Sequence, residues 1–185
     1  MIELNREKYN KEIAPKMMEE FGYNNVMAVP RLLKVVVNTG IGKLAMGKTP
    51  TETQKFAEPI AEDLSAICGQ KAVLTKAKRS IAGFKLRAGM TNGVKVTLRG
   101  RKMNDFLERL INVALPRSRD FAGISDSAFD DSGNLTIGIK EQVIFPEISA
   151  EKTKIVFGFE ITVVTTAKNK EESVKLFRLL KFPIK

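Results

Sequence analysis

The sequence predicts an α+β fold: a mainly antiparallel sheet with helices packed on one face, and with the other face and a long basic loop left free. Three observations predict it. Runs with period-two alternation, such as "LKVVVN" and "KIVFGFEITVVTT", read as strands. Several other segments repeat apolar residues at helical spacing. The order helix, strand, helix, strand, strand, helix, strands, helix suits helices laid over one sheet. No internal repeat or low-complexity linker interrupts it, so residues 1–185 are read as a single domain.

The first helix follows from Tyr9, Ile13, Met17 and Phe21, spaced by four, with Pro15 expected to kink or shorten it. After "FGYNN" and Pro30, "LLKVVVN" reads as a strand that leads into the glycine-rich "TGIGKLAMGKT". A second helix is predicted from Pro50 to about Ile67, with Phe56, Ile60, Leu64 and Ile67 as its apolar stripe. The strand "KAVLT", a loop within Thr75 to Gly93 and the strand "GVKVTLRG" come next. "NDFLERLINVAL" is an amphipathic helix expected to stop before Pro116, and "PRSRDFAGISDSAFDDSGN" reads as irregular structure or short strands and turns. "LTIGI" and "KIVFGFEITVVTT" are strands. A last helix is expected to begin at Asn169, whose spacing to Glu172 fits a capping box, and to end near Pro183.

Alternation assigns faces. In the first strand Val35 and Val37 share one side, and Lys34, Val36 and Asn38 the other; in "VKVTLR" Val94, Val96 and Leu98 oppose Lys95, Thr97 and Arg99. The apolar sides are expected to meet the helices. The opposite sides offer amides, hydroxyls and cations, the groups with which a sheet reads an RNA backbone and its 2′-hydroxyls. An ordinary solvent-facing side of an antiparallel sheet is the plainer alternative.

Charge favours the first reading. The chain carries 31 Lys and Arg against 21 Asp and Glu, a net charge of +10. Ten of the basic residues (Lys71, Lys76, Lys78, Arg79, Lys85, Arg87, Lys95, Arg99, Arg101 and Lys102) fall between Asp63 and Asp105 with no acid among them. Without that window 21 basic residues face 21 acids, so the whole excess belongs to one segment. Such a stretch lacks the mixed signs of an ordinary surface and points to phosphates, hence to nucleic acid. A membrane partner fits less well, because the cations do not lie along one amphipathic helix. No apolar run is long enough to span a bilayer, and "MIELNREKYNKE" is too charged for a signal peptide, so a cytoplasmic protein is expected. With no His and the single Cys68, neither a zinc site nor the usual proton carriers of catalysis are expected, and no metal or cofactor is called for.

One motif argues for an enzyme. Gly42 to Thr49, "GKLAMGKT", satisfies the phosphate-loop pattern between a predicted strand and a predicted helix, which makes a nucleotide-binding protein the alternative reading. Pro50 argues against it. A working loop needs its Lys and Thr inside the first helical turn, whereas proline disfavours helical geometry at the residue before it. The same residues spell a helix start instead, with Thr49 at the N-cap, Pro50 next and Glu52 placed to complete a capping box.

Long stretches resemble a known family. "LSAICGQKAVLTKAKRSIAGFKLRAG", "VTLRGRKMNDFLERLINVALPRSRDFAG", "EQVIFPEI" and the terminal "TTAK…LLKFP" run in the order of the bacterial large-subunit ribosomal protein five family, over nearly the whole chain. The resemblance implies a non-catalytic protein of the large ribosomal subunit, seated with 5S rRNA in the central protuberance beside 23S rRNA and other proteins there. It implies 5S rRNA binding at Lys34, Asn38, Gln70 and Thr97, with Arg99 joining them on the polar side. It extends the basic loop toward the peptidyl-site tRNA, so that Lys76, Lys78, Arg79, Ser80 and Lys85 would touch that tRNA. It makes Arg117, Arg119 and Asp120 candidates for a bridge to a small-subunit head protein. Phe84 within the loop fits two roles, stacking on a base or sugar or pinning the base of the loop.

Overall fold

The computed structural model describes residues 9–42, 44, 47–118, 121–149, 153 and 155–185. Among them are four helices and a five-stranded antiparallel sheet, the α+β arrangement expected from the sequence. The helices are α1 (Ala14–Phe21), α2 (Pro50–Cys68), α3 (Gly100–Arg109) and α4 (Lys170–Leu179). The strands are β1 (Leu32–Gly40), β2 (Val73–Lys76), β3 (Thr91–Leu98), β4 (Leu135–Ile139) and β5 (Phe159–Thr165), in the spatial order β2-β3-β1-β5-β4. The chain forms two compact units. One takes the chain up to Val35, Arg99–Ile137 and Thr162–Lys185, and the other takes Val36–Leu98 and Gly138–Ile161.

In the second unit α2 lies over β3 and β2. Ile60, Leu64 and Ile67 of the helix and Val94, Val96 and Leu98 of the strand are all sealed from water. The buried stripe of α2 starts from Thr53 and Ala57, so Phe56, expected to belong to it, sits at its half-buried margin. The first unit is sealed by Met17, Phe106, Leu107, Leu110, Leu176 and Phe177. There the Phe177 ring meets Phe182 edge-on at 4.7 Å and Phe129 at 5.5 Å, the geometry that aromatic quadrupoles prefer.

Two of the prolines in helical sequence, Pro15 and Pro116, are accommodated by a wide turn, while Pro59 lies inside α2. Tyr9–Ile13 forms a π-helical turn ahead of α1, which places Pro15 in the first α-helical turn, where no N–H is needed. The helix expected to stop before Pro116 instead runs on as a π-helical segment, Leu110–Ala114, and a last turn, Leu115–Arg117. The Leu115 N–H reaches Leu110 O across this wide turn, and Pro116 again falls in a first turn. At α4, Asn169 is the N-cap as expected, but its side chain makes no cap bond; Glu172 accepts instead from the Lys168 N–H at 2.9 Å. The segment Phe121–Ile124 is tied to the last residues of the chain, since the Ile124 N–H donates to Pro183 O and the Lys185 N–H to Ile124 O, both at 2.8 Å.

The long strand read from "KIVFGFEITVVTT" is shorter than expected, because residues 155–158 lie outside β5. Their backbone is satisfied by a side chain. The fully buried Gln142 donates to Ile155 O at 2.6 Å and accepts from the Phe157 N–H at 2.9 Å, so one amide takes the place of a neighbouring strand. Gln142 also bonds Asp63, whose carboxyl is pushed above its ordinary range by burial, an effect that this bond partly opposes. Replacing Gln142 by Leu, of similar size, should strand two backbone groups away from water and lower unfolding free energy by about 2–6 kcal/mol, at about 1–3 for each group. Urea unfolding measures it, and a loss under about 1 kcal/mol would mean that water reaches those groups.

Candidate nucleic-acid interface

β1 and β3 bury alternate residues over most of their length, whereas β2 buries none. In β1, Val35, Val37 and Thr39 are buried while Val36 is half-buried and Asn38 exposed. Thr39 is polar but not stranded, because its hydroxyl donates to Gly158 O at 2.7 Å. In β3, Val94, Val96 and Leu98 are buried, Lys95 is exposed and Thr97 half-buried. The faces therefore fall as alternation assigned them. Among the positions singled out for 5S rRNA, Lys34 is half-buried in β1, Asn38 is exposed on the same side of that strand, and Thr97 occupies the open side of β3. Arg99 is exposed just beyond β3, at the N-cap position of α3.

Gln70 reaches this surface by a different route. Gly69, with φ +63°, ends α2 in the left-handed conformation and turns the chain back. The Gln70 side chain then donates from Nε2 to Thr97 O at 3.0 Å, which uses one amide hydrogen and leaves the Oε1 capacity unspent by that bond. Lys95 adds a cation, paired across the ladder with Val73, which is itself 62% exposed. Sequence reasoning missed that the open side changes sign: β5 places exposed Glu160 among its unburied residues, next in the sheet to β1. The acid-free run of cations thus lies at β2, β3, their loop and the start of α3, while β5 contributes a carboxylate to the open side. The signal was available, since Glu160 alternates with buried Phe159 and Ile161.

All ten cations of the acid-free window are exposed. Arg101 lies 3.8 Å from Asp105, an exposed pair of little energetic weight. Five of the ten lie at the end of β2 and in the loop to β3, and this loop has structure of its own. The Ala77 N–H donates to Met90 O at 2.8 Å and the Gly89 N–H to Ala77 O at 2.9 Å, extending the β2–β3 pairing outward. Ile81 and Leu86 then pair as an antiparallel bridge, closed by a 3₁₀ turn at Ala82–Phe84 and by Lys85 at φ +49°. Ser80, read as a tRNA contact, also fastens the hairpin, its hydroxyl accepting from the Ala88 N–H at 2.9 Å. Met90, nearly buried, anchors the hairpin base, and its sulfur accepts from the Arg87 N–H at 3.4 Å. Phe84 is 66% exposed and so does not pin that base. Of the bridge candidates, Arg117 is exposed in the last helical turn after α3, while Arg119 and Asp120 lie outside the described residues.

Comparison with known proteins decides the family. Residues 25–87 match the family described as ribosomal protein L5, and residues 91–184 match the model of that ribosomal family's C-terminus. The chain belongs to the ribosomal protein uL5 family. It is 52% identical over 178 residues to the large ribosomal subunit protein uL5 of Thermoanaerobacter sp. (strain X514), across 96% of both chains. It is 49% identical over 180 residues to that of Chloroflexus aggregans (strain MD-66 / DSM 9485), across 97% of both.

A structural protein of the uL5 family has no use for a phosphate loop, and the geometry around "GKLAMGKT" agrees. Lys43, Ala45 and Met46 lie outside the described residues. Lys48 precedes α2 and stands 3.9 Å from the centre of the Phe56 ring, a cation–π contact. Thr49 is the N-cap of a complete capping box: its N–H donates to the Glu52 carboxylate at 2.8 Å, and its hydroxyl accepts from the Glu52 N–H at 3.3 Å. The Thr49 N–H, a donor that a bound phosphate would need, is already bonded to the protein. The bond from the Thr49 backbone N–H, more than any other influence, holds the Glu52 carboxyl below its ordinary range. Its contribution is therefore present at neutral pH and is lost as pH falls through that depressed value. Thr49→Ala keeps that backbone N–H and loses only the hydroxyl cap, so it should cost about 1 kcal/mol of stability, measured by urea unfolding at neutral pH. Calorimetry of the parent with magnesium ATP or GTP should show no micromolar binding; such binding, lost in Lys48→Ala, would restore the nucleotide reading.

Proposed function

We propose that this member of the uL5 family binds 5S rRNA through the open side of β1 and β3, with Lys34, Asn38, Gln70, Thr97 and Arg99 in the contact. The basic hairpin, through Lys76, Lys78, Arg79, Ser80 and Lys85, reaches the peptidyl-site tRNA. Arg117, with Arg119 and Asp120, faces a small-subunit head protein, and 23S rRNA and neighbouring large-subunit proteins complete the surroundings. The observation that carries the RNA reading is the ten exposed cations between Leu64 and Asn104 with no acid among them. Phosphates supply the missing counter-charge. Amides and hydroxyls on the adjoining strands supply hydrogen bonds that a purely electrostatic surface lacks.

Recovery of the protein from cells at moderate salt, followed by sequencing of the RNA that accompanies it, should return 5S rRNA. Asn38→Ala and Thr97→Ala remove groups whose partners would be left unpaired in a desolvated interface, at about 1–3 kcal/mol each. Each should weaken 5S rRNA binding about tenfold or more with little change in melting temperature. Equal affinity in both variants at fixed salt would move the site off this face.

The hairpin separates from the sheet by charge. Replacing Lys76, Lys78 and Arg79 together by Ala should leave the fold and 5S rRNA affinity nearly intact while peptidyl-site tRNA dissociates faster from assembled ribosomes. Each true phosphate contact removed should also lower the logarithmic salt slope of RNA binding by about 0.9, taking the duplex DNA value. Loss of 5S rRNA as severe as in Asn38→Ala would assign the hairpin to the rRNA instead.

A further inference from the structure

The tip of the basic hairpin carries two apolar side chains that the fold does not use. Phe84 is 66% exposed and Ile81 46% exposed. Neither is exposed through slack in the backbone. Phe84 ends the 3₁₀ turn, with its N–H bonded to Ile81 O at 3.3 Å, and the Lys85 N–H returns to Ala82 O at 2.9 Å. Lys85 holds a left-handed conformation, found elsewhere among the described non-glycine residues only at Lys181. The tip is thus built in a conformation that disfavours an ordinary side chain, and it leaves an aromatic ring in water. Met90 already anchors the base.

We propose that Phe84 stacks on the exposed face of a nucleobase, with Ile81 packing beside it. The tip then grips RNA by a flat apolar contact as well as by charge. This rests on the reading that the hairpin meets RNA. The occupant is argued from charge: Lys78, Arg79, Lys85 and Arg87 surround the ring in sequence, all are exposed, and no acid lies between Leu64 and Asn104. A partner that suits both features is polyanionic and presents flat π-faces, and RNA with unpaired bases does both. Base-paired duplex presents the charge without the faces. One ring with one aliphatic neighbour is also too small an apolar patch for a protein interface.

The chain contains no tryptophan, so Phe84→Trp places a single tryptophan, excited apart from the two tyrosines, at the proposed contact. The full-length variant is titrated at low salt with a tRNA transcript, with 5S rRNA and with a blunt RNA duplex of similar length; binding of Phe84→Leu to the same three is measured in parallel. Stacking predicts tryptophan quenching by tRNA but not by the duplex, and about tenfold weaker tRNA binding by Phe84→Leu with an unchanged salt slope, because no charge is altered. Quenching by 5S rRNA and not by tRNA would support the stacking contact while overturning the assignment of the hairpin to tRNA. Equal quenching by the duplex, no quenching by any RNA, or unchanged affinity in Phe84→Leu would overturn the proposal. So would a clear fall in melting temperature in both variants, which would make Phe84 part of the fold.

Discussion

The close approach of three strands at Gly93 is the constraint on which the open polar surface depends. A Cβ at this position would stand 2.8 Å from Thr39 O of β1 and 2.9 Å from Thr75 Oγ1 of β2, closer than real side chains come. Only glycine lets β3 lie against both neighbours there. The β2–β3 ladder shifts register beside it, between Thr75 and Lys76, where the basic hairpin begins. A bulge of this kind bends a strand and re-aims the chain beyond it. Because the side-chain period of a strand is two, a one-residue slip at Gly93 would turn Lys95 and Thr97 inward and Val94 and Val96 outward. The polar surface, the hairpin exit and the seat of α2 therefore share one cause.

Several features were legible in the sequence because they are local. Alternation assigned the faces of β1 and β3 without knowledge of their neighbours, and the Thr49–Pro50–Glu52 spacing predicted a capping box that forms as read. The acid-free window needed only a count of charges, and family resemblance supplied roles that no count could. What escaped was decided by contacts distant in sequence. A proline rule placed the end of a helix before Pro116, yet a π-helical turn carried the chain past it. The alternating run 155–158 lacks a partner strand and is held by Gln142, a residue with no strand signal. Phe56 fits the helical period, but the packed side of α2 is rotated toward Thr53 and Ala57.

The site shows the same division. Residue types and their strand faces were readable, while the bonds that position them were not. Nothing in "GQK" indicates that Gln70 will bond the backbone of Thr97, and nothing in "KRSIAG" that Ser80 will close a hairpin. Glu160 shows the opposite failure. It obeys the alternation rule, yet a search for cations passes over it, although its carboxylate marks where the positive surface ends.

The hairpin also bears on the speed of recognition. A segment that had to be ordered on contact would lose chain entropy at that moment, and its association would be slowed or weakened accordingly. Here the Ile81–Leu86 bridge, the Ser80 hydroxyl and the Met90 anchor form within the free chain, so much of that ordering precedes the encounter. With a polyanionic partner, the remaining step would be governed by long-range attraction and by ionic strength. Preformed geometry of this kind lets an arm engage and release a partner repeatedly without refolding.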